Sequence, residues 1–388
     1  ERITQSAAGI ENWIAKKRKQ AGNQPIAIIY ESCRNGFMQS LILREGITLF
    51  PVNPKQFAKY RESYHNAGSK DDRTDARLLA RMLRERIHTL KPLQLSDEQT
   101  RKLDHLCRNR RQLVNRRTES IVRLKCYLKA SFPLFLELKL SLNAMLALLA
   151  RWPDPRKIKR AQKSLLVKVL RQSGTRNQSK IDSIVDAIKS SKLLTLDPAI
   201  HDSMAPMFQL ESKIIKELNK SIKQLEDSIE TLFNQHQDAR LFNKLPGAGK
   251  VLAPRLLAAF GSNRERFESA NEISSWSGIA PITKQSGKSK VVVKRNACSK
   301  YLRQTFHEFA DFARVWCPWS KAYYQMQRNG GMKHNAAVRK LALRWIRILF
   351  RVWKDNQPYD QEKYLAVIAK KNTKINNFLN SKSLELAS

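Results

Sequence analysis

The chain has 388 residues, with 72 Lys and Arg against 34 Asp and Glu and a formal net charge of +38, well beyond the roughly 2–8 that keeps a small domain soluble. The bases run along the whole length, so the expected partner is a dense polyanion, a nucleic acid. At 42% hydrophobic residues the chain fills cores for two or three domains, which excludes a disordered basic protein, and no apolar run reaches the ~20 residues of a membrane span. Charged residues from Glu1 to Lys19 are unlike a signal peptide, and Cys33, Cys107, Cys126, Cys298 and Cys317 form no C-x-x-C pair, so reduced thiols in a cytoplasm are expected.

In chain order, an amphipathic segment through Lys19 precedes an apolar run at 26–30, a helix-like stretch at 36–44 and a second apolar run at 47–52. Short β-branched runs separated by helical patterns predict parallel strands in an α/β layer. A helix opens at Asp72 and runs to Arg86. A long basic helix follows from 95 to about 129, and Pro133, Pro153 and Pro155 break the next stretch into shorter helices. Ile215, Leu218, Ile222, Leu225, Ile229 and Leu232 alternate by three and four, an a/d seam that must be covered either by the chain's own Leu103–Leu124 helix or by a second copy. The expected domains are therefore 1–92, 93–238, a C-terminal domain at 239–370 holding Trp276, Trp316, Trp319, Trp345 and Trp353, and a polar tail at 371–388.

Three acids draw attention. Glu31 follows directly on the first apolar strand, at the carboxyl edge where α/β sheets place their sites. Asp72 and Asp75, three apart on a helix, share a face. Three such oxygen donors suit Mg²⁺, and carboxylates in a phosphate-binding protein are costly unless a cation separates them from the nucleic acid. Singly, each has a plain alternative: Asp72 as a helix cap, and Asp75 in a surface ion-pair patch with Lys70, Arg73 and Arg77.

In the C-terminal part, Leu245-Pro246-Gly247-Ala248-Gly249 is a turn at a helix start that can hold a phosphate or simply join two helices. From Ile273 to His307 there are no acids, while Lys284, Lys288, Lys290, Lys294, Arg295, Lys300 and Arg303 supply seven cations for a polyanion. Ser286, before Gly287, reads as a hydroxyl presented from a loop; by composition alone that is usually just a turn. Farther on, Tyr323-Tyr324-Gln325 and an arginine face of Arg339, Arg344, Arg347 and Arg351 form a basic, aromatic-bearing pair of helices.

Tyr30-Glu31-Ser32, Val52-Asn53-Pro54 and Lys70-Asp71-Asp72-Arg73-Thr74-Asp75-Ala76-Arg77 resemble the RuvC-like domain of the insertion-sequence transposases that carry a D-E-D-D tetrad, a group that includes Piv-type DNA invertases and bridge-RNA-guided recombinases. Gly278-Ile279-Ala280-Pro281, Ser286-Gly287 and Ala336-Ala337-Val338-Arg339-Lys340-Leu341-Ala342 resemble the same family's C-terminal transposase domain. The resemblance implies an RNase H-like (RuvC-like) α/β N-terminal domain, then a long-helix and coiled-coil region, then a mostly helical domain. It implies Glu31, Asp72 and Asp75 as Mg²⁺ ligands and Ser286 as nucleophile, with Ser289 and Ser277 as lesser candidates. Arg73, Arg77, Gly247, Gly249 and the seven cations would then bind nucleic acid.

The implied activity is DNA cutting and rejoining in a bacterial cytoplasm, at the nucleoid, by a homodimer or homotetramer with a structured guide RNA. The family's first aspartate has no counterpart in the thirty residues before Glu31, so the first strands of the sheet are expected to be missing. Two alternatives stand beside this reading: a metal-dependent nuclease or junction resolvase that uses water, and an inactive copy that only binds nucleic acid.

Overall fold

A computed structural model of the chain describes residues 3–22, 24–31, 36–64, 71–371 and 375–378. In chain order the elements begin with α1 (Ala7–Gln20), β1 (Ile26–Glu31), α2 (Gly36–Leu41), β2 (Ile47–Val52), α3 (Pro54–Glu62), α4 (Asp72–Arg86) and α5 (Glu98–Ser131). Next come α6 (Leu134–Glu137), α7 (Leu142–Arg151), α8 (Pro155–Arg160), α9 (Lys163–Gln172), α10 (Gln178–Ser190), α11 (Pro198–Asn234), α12 (Ala239–Phe242) and α13 (Gly249–Phe260). The chain then forms α14 (Ala270–Trp276), β3 (Ile282–Ser286), β4 (Ser289–Val293), α15 (Lys300–Trp316), α16 (Pro318–Asn329), α17 (His334–Lys354) and α18 (Gln361–Lys370). These fall into two compact units, Glu1–Asp97 with Asn263–Ser299, and Glu98–Ser262 with Lys300–Ser388.

The first unit is built on β1 and β2, which pair in parallel from Ile26↔Ile47 to Glu31↔Val52. Successive side chains of a strand face opposite sides, and each side meets its own core. Ile28 packs with Ile10, Ile14, Met38, Leu41 and Leu49. Ile29 packs with Val52, Phe57, Tyr60, Leu78 and Met82. A parallel pair covered on both faces by helices is the α/β layering that the hydrophobic pattern predicts. Among the described residues the sheet has two strands.

The same unit contains an element that the sequence reading takes for a loop. β3 and β4 form an antiparallel hairpin, Ile282↔Val293 to Ser286↔Ser289, closed by Gly287 and Lys288. The β-branched run of Val291, Val292 and Val293 favours extended chain, and Gly287, at φ 54°, meets the positive dihedral of a two-residue hairpin turn. Lys91 Nζ donates to Glu268 at 2.8 Å and to Glu272 at 2.6 Å, tying the segment before the hairpin to the segment after α4.

In the second unit α5 and α11 lie antiparallel. Arg110 pairs with Glu226 at 2.5 Å, Arg117 donates to Asn219 at 2.9 Å, and Arg123 meets Glu211 at 3.4 Å. Ile215, Ile222 and Ile229 of the predicted seam are buried, as are Leu103 and Leu124 of α5. Leu218, Leu225 and Leu232 stay half-buried. The isoleucine side of the seam is thus covered from within the chain. Helices α6 to α10 close a further core around Phe132, Leu148, Leu166 and Ile188.

Three of the five expected C-terminal tryptophans make the core anticipated for them. Trp319, Trp345 and Trp353 are fully buried, their ring N–H groups donating to Tyr359 Oη, Ser320 Oγ and the Gly261 carbonyl. Trp316 is 70% exposed, and Trp276, in the first unit, is 41% exposed.

α3 and α4 are joined through Glu85, whose carboxylate accepts from Arg81 Nε at 2.6 Å, Tyr60 Oη at 2.7 Å and Tyr64 Oη at 3.0 Å. The Arg81 bond first, then the phenols, hold its pKa down at about 2. A carboxylate depressed in the folded state contributes stability that is complete above the ordinary glutamate range and lost as pH falls through the folded value. Acid titration of the folded chain is therefore expected to weaken the α3–α4 contact between about pH 4.5 and 2. Glu85→Gln should flatten that part of the pH–stability curve, as followed by thermal denaturation.

Candidate functional site

Glu31 is the last residue of β1 and is exposed. α4 begins at Asp72, also exposed, and packs on β1 and on α3. The cap is Asp71, not Asp72: its side chain accepts from the backbone and hydroxyl of Thr74, both at 3.0 Å, and these bonds hold its carboxyl below the usual range. Asp72 is thereby left free of the capping role.

Asp75, one turn on, is committed elsewhere. Both of its oxygens accept from Arg61 NH1 of α3, at 3.2 and 3.0 Å, and its side chain is 15% exposed. Among the described residues no three Asp, Glu, His or Cys side chains gather into a metal-holding group. That does not exclude Mg²⁺, which commonly takes one or two carboxylates and completes its shell with water and substrate phosphate. Glu31 and Asp72, exposed oxygen donors with no ion pair among the described residues, fit such an ion. Asp75, with a guanidinium across both oxygens, does not as placed.

Ser286 ends β3, directly across the hairpin from Ser289, and both are exposed. By strand alternation Lys284 and Val291 share their face, while Gln285 and Lys290 take the other. Ser277 is a different case: fully buried, it donates to the Ser274 carbonyl at 3.2 Å. A hydroxyl so enclosed cannot meet a phosphodiester, which leaves Ser286 and Ser289.

The expected cations separate into two groups. Arg73 and Arg77 on α4, and Lys284, Lys288, Lys290 and Lys294 along the hairpin, are exposed in the first unit together with half-buried Arg295. Lys300 and Arg303 open α15 and belong to the second unit. Arg344 is held among aromatic rings, over Tyr323 at 5.2 Å and donating to Tyr364 at 2.7 Å. Ser32 and Lys70, which complete two of the motifs, lie outside the described residues, as does the tail from 379.

The Pro-Gly-x-Gly turn has a packing explanation. Gly247 has φ 78°, and a Cβ there would lie 2.8 Å from the Phe312 carbonyl carbon and 2.9 Å from Ala313 N, so the turn sits directly on the α15 backbone. Gly249 also has a positive φ, 52°, but faces open space. Arg61 and Lys91 were not singled out from the sequence. Each acts through a partner distant along the chain, which spacing alone does not reveal.

Residues 1–133 match a transposase family model of the DEDD, IS110 type, and residues 239–325 match a model described as transposase of the IS116/IS110/IS902 family. The chain is 26% identical, over 94% of its length and 90% of the relative's, to a Streptomyces coelicolor protein named "Mini-circle putative transposase for IS117". It is 27% identical to a protein of insertion element IS110 from the same organism, covering 87% of this chain and 80% of that one. With a protein of insertion element IS900 from Mycobacterium paratuberculosis it shares 29% identity over 77% of this chain and 76% of the relative. No helix among the described residues is long and apolar enough to cross a membrane.

The two glycines should separate in stability measurements. Gly247→Ala is expected to destabilise the chain by about 2 kcal/mol or more in urea denaturation, since left-handed strain of ~1–2 kcal/mol adds to a backbone clash. Gly249→Ala should cost about 1 kcal/mol from strain alone.

Proposed function

The chain belongs to the IS110/IS116 family of transposases, and from that premise we propose that it cuts and rejoins DNA with Ser286 as nucleophile beside a carboxylate-held divalent ion. The observation that carries this reading is the hairpin. It presents Ser286 at an exposed tip, with Lys284 on the same face, in the compact unit that also contains Glu31, Asp72 and Asp75.

The family suggests divalent-metal dependence, and the oxygen donors favour Mg²⁺. Glu31 and Asp72 would hold it, and when bound it would place positive charge against the oxygens of the phosphodiester. Asp75 joins them only once Arg61 lets go. Ser286 Oγ attacks phosphorus, its proton passing to solvent, and the bond from phosphorus to the sugar oxygen breaks as that oxygen takes up a proton. The phosphoserine ester conserves the bond energy, so a second sugar hydroxyl can reverse the step on a new strand. Lys284, on the same face as Ser286, holds the strand against the hairpin by charge.

DNA is the substrate. A structured RNA on the exposed Lys and Arg of α4 and the hairpin is the partner that selects it, and a homodimer or homotetramer supplies the several nucleophiles that exchange of two duplexes needs.

A strand-exchange assay on duplex DNA from the element's ends tests the assignment. Ser286→Ala should lower joining by at least 10³-fold, while Ser289→Ala retains most of it. Glu31→Gln or Asp72→Asn should weaken Mg²⁺ dependence and joining together. Full cleavage by Ser286→Ala without joining would instead indicate a nuclease that uses water, and binding without cleavage in the unaltered protein an inactive copy.

A further inference from the structure

A second constellation of reactive side chains lies in the other unit, where α15, α16 and α17 meet. Tyr324 Oη of α16 and His334 Nδ1 of α17 are 2.8 Å apart, their rings nearly perpendicular at 76°. On its far side His334 Nε2 faces Asp311 Oδ1 of α15 at 3.9 Å. Asp311 also accepts from Arg314 Nε at 2.5 Å, and the Arg314 guanidinium lies over the Tyr324 ring, 4.9 Å from its centre. The group opens to solvent, with the His334 and Asp311 side chains 46% and 39% exposed.

A hydroxyl in hydrogen-bond reach of an imidazole, which is in turn oriented by a third group, is the arrangement that activates a nucleophile. With Nδ1 accepting from the phenol, Nε2 carries the ring proton toward Asp311, and the carboxylate on that side orients the ring. Plain packing accounts for this less well. Tyr359 and Tyr364 of the same unit are core tyrosines, in ring contact with the buried Trp345 and Trp319, whereas Tyr324 touches His334 and Arg314.

The surroundings are suited to an anion. Burial holds the imidazole of His307 on α15 below its ordinary range, and it senses Asp311, His334 and Arg339. Arg339 Nε is buried without a hydrogen-bond partner among the described residues, a donor left unfilled beside the cluster.

We propose that Tyr324 is a second nucleophile, which takes a phosphoryl group from a nucleic-acid phosphodiester with His334 as its base. Tyr324 Oη bonds to phosphorus while its proton moves to His334 Nδ1. The bond from phosphorus to the leaving sugar oxygen breaks, and the imidazolium returns the proton to that oxygen. The products are a phosphotyrosine ester and a free hydroxyl, with no change of oxidation state. Arg314 lies against the developing charge, and Asp311 steadies the ring.

The inference stands apart from the Ser286 reading, and two measurements on the full chain test it. In the first, the protein without DNA is treated with an aryl sulfonyl fluoride and the modified tyrosines are mapped. Tyr324 should react at least tenfold faster than the exposed Tyr64, His334→Gln should remove that advantage, and Asp311→Asn should reduce it several-fold. Equal rates at Tyr324 and Tyr64, or no effect of His334→Gln, would overturn the proposal.

In the second, labelled duplex from the element's ends, carrying a bridging phosphorothiolate, traps the covalent adduct, and hydrolysis identifies the linked residue. Phosphotyrosine that persists in Ser286→Ala and disappears in Tyr324→Phe supports the proposal. Phosphoserine alone sinks it and leaves the serine mechanism intact.

Discussion

The antiparallel contact between α5 and α11 carries the second unit, and it shows how this chain manages its charge. The cation-rich α5 packs on α11, whose Glu226 and Glu211 answer Arg110 and Arg123 over a buried isoleucine row. The same pairing recurs elsewhere in the second unit. Glu308 takes both Arg255 and Arg111, and Asp154 takes Arg156. With bases outnumbering acids by about two to one, a carboxylate is the scarce group, and an acid near an arginine tends to be captured.

Scarcity gives the uncaptured acids their meaning. Asp71 is spent on a cap, Glu85 on Tyr60, Tyr64 and Arg81, and Asp75 on Arg61. Glu31 and Asp72 remain exposed at the ends of two elements in contact, β1 and α4. A cation held there would offset the cost of leaving negative charge beside a polyanion. The Arg61–Asp75 pair fits the same logic: the guanidinium supplies the positive charge that a half-buried carboxylate needs.

Much of this was legible in the residues because it is local. The parallel strands follow from two β-branched runs, Glu31 from its place at the end of the first, and the buried isoleucine row from heptad spacing. What escaped depends on distant partners or on competing signals. The serine segment was read as a loop because its lysines and glycine mask three consecutive valines that pair with residues 282–284. Gly247 looked like a phosphate cradle because the α15 backbone that presses on it lies some sixty residues away in the chain. Cap choice between Asp71 and Asp72 is decided by one residue of register, finer than a pattern of charges can specify.

The hairpin and the tyrosine corner show two ways of making a hydroxyl reactive. Ser286 has no imidazole or carboxylate hydrogen-bonded to it among the described residues, and its neighbours on the hairpin are cations, which stabilise charge but do not take a proton. An alcohol in that position depends on outside help to ionise. Tyr324 already has an imidazole nitrogen at 2.8 Å, with the Asp311 carboxylate on the ring's far side. A hydroxyl poised without an ion and one dependent on its surroundings respond to different triggers. With both hydroxyls in their proposed roles, the chain would commit one strand before a metal is bound at the carboxylates and the other only afterwards, an order that metal titration of the two covalent adducts would expose.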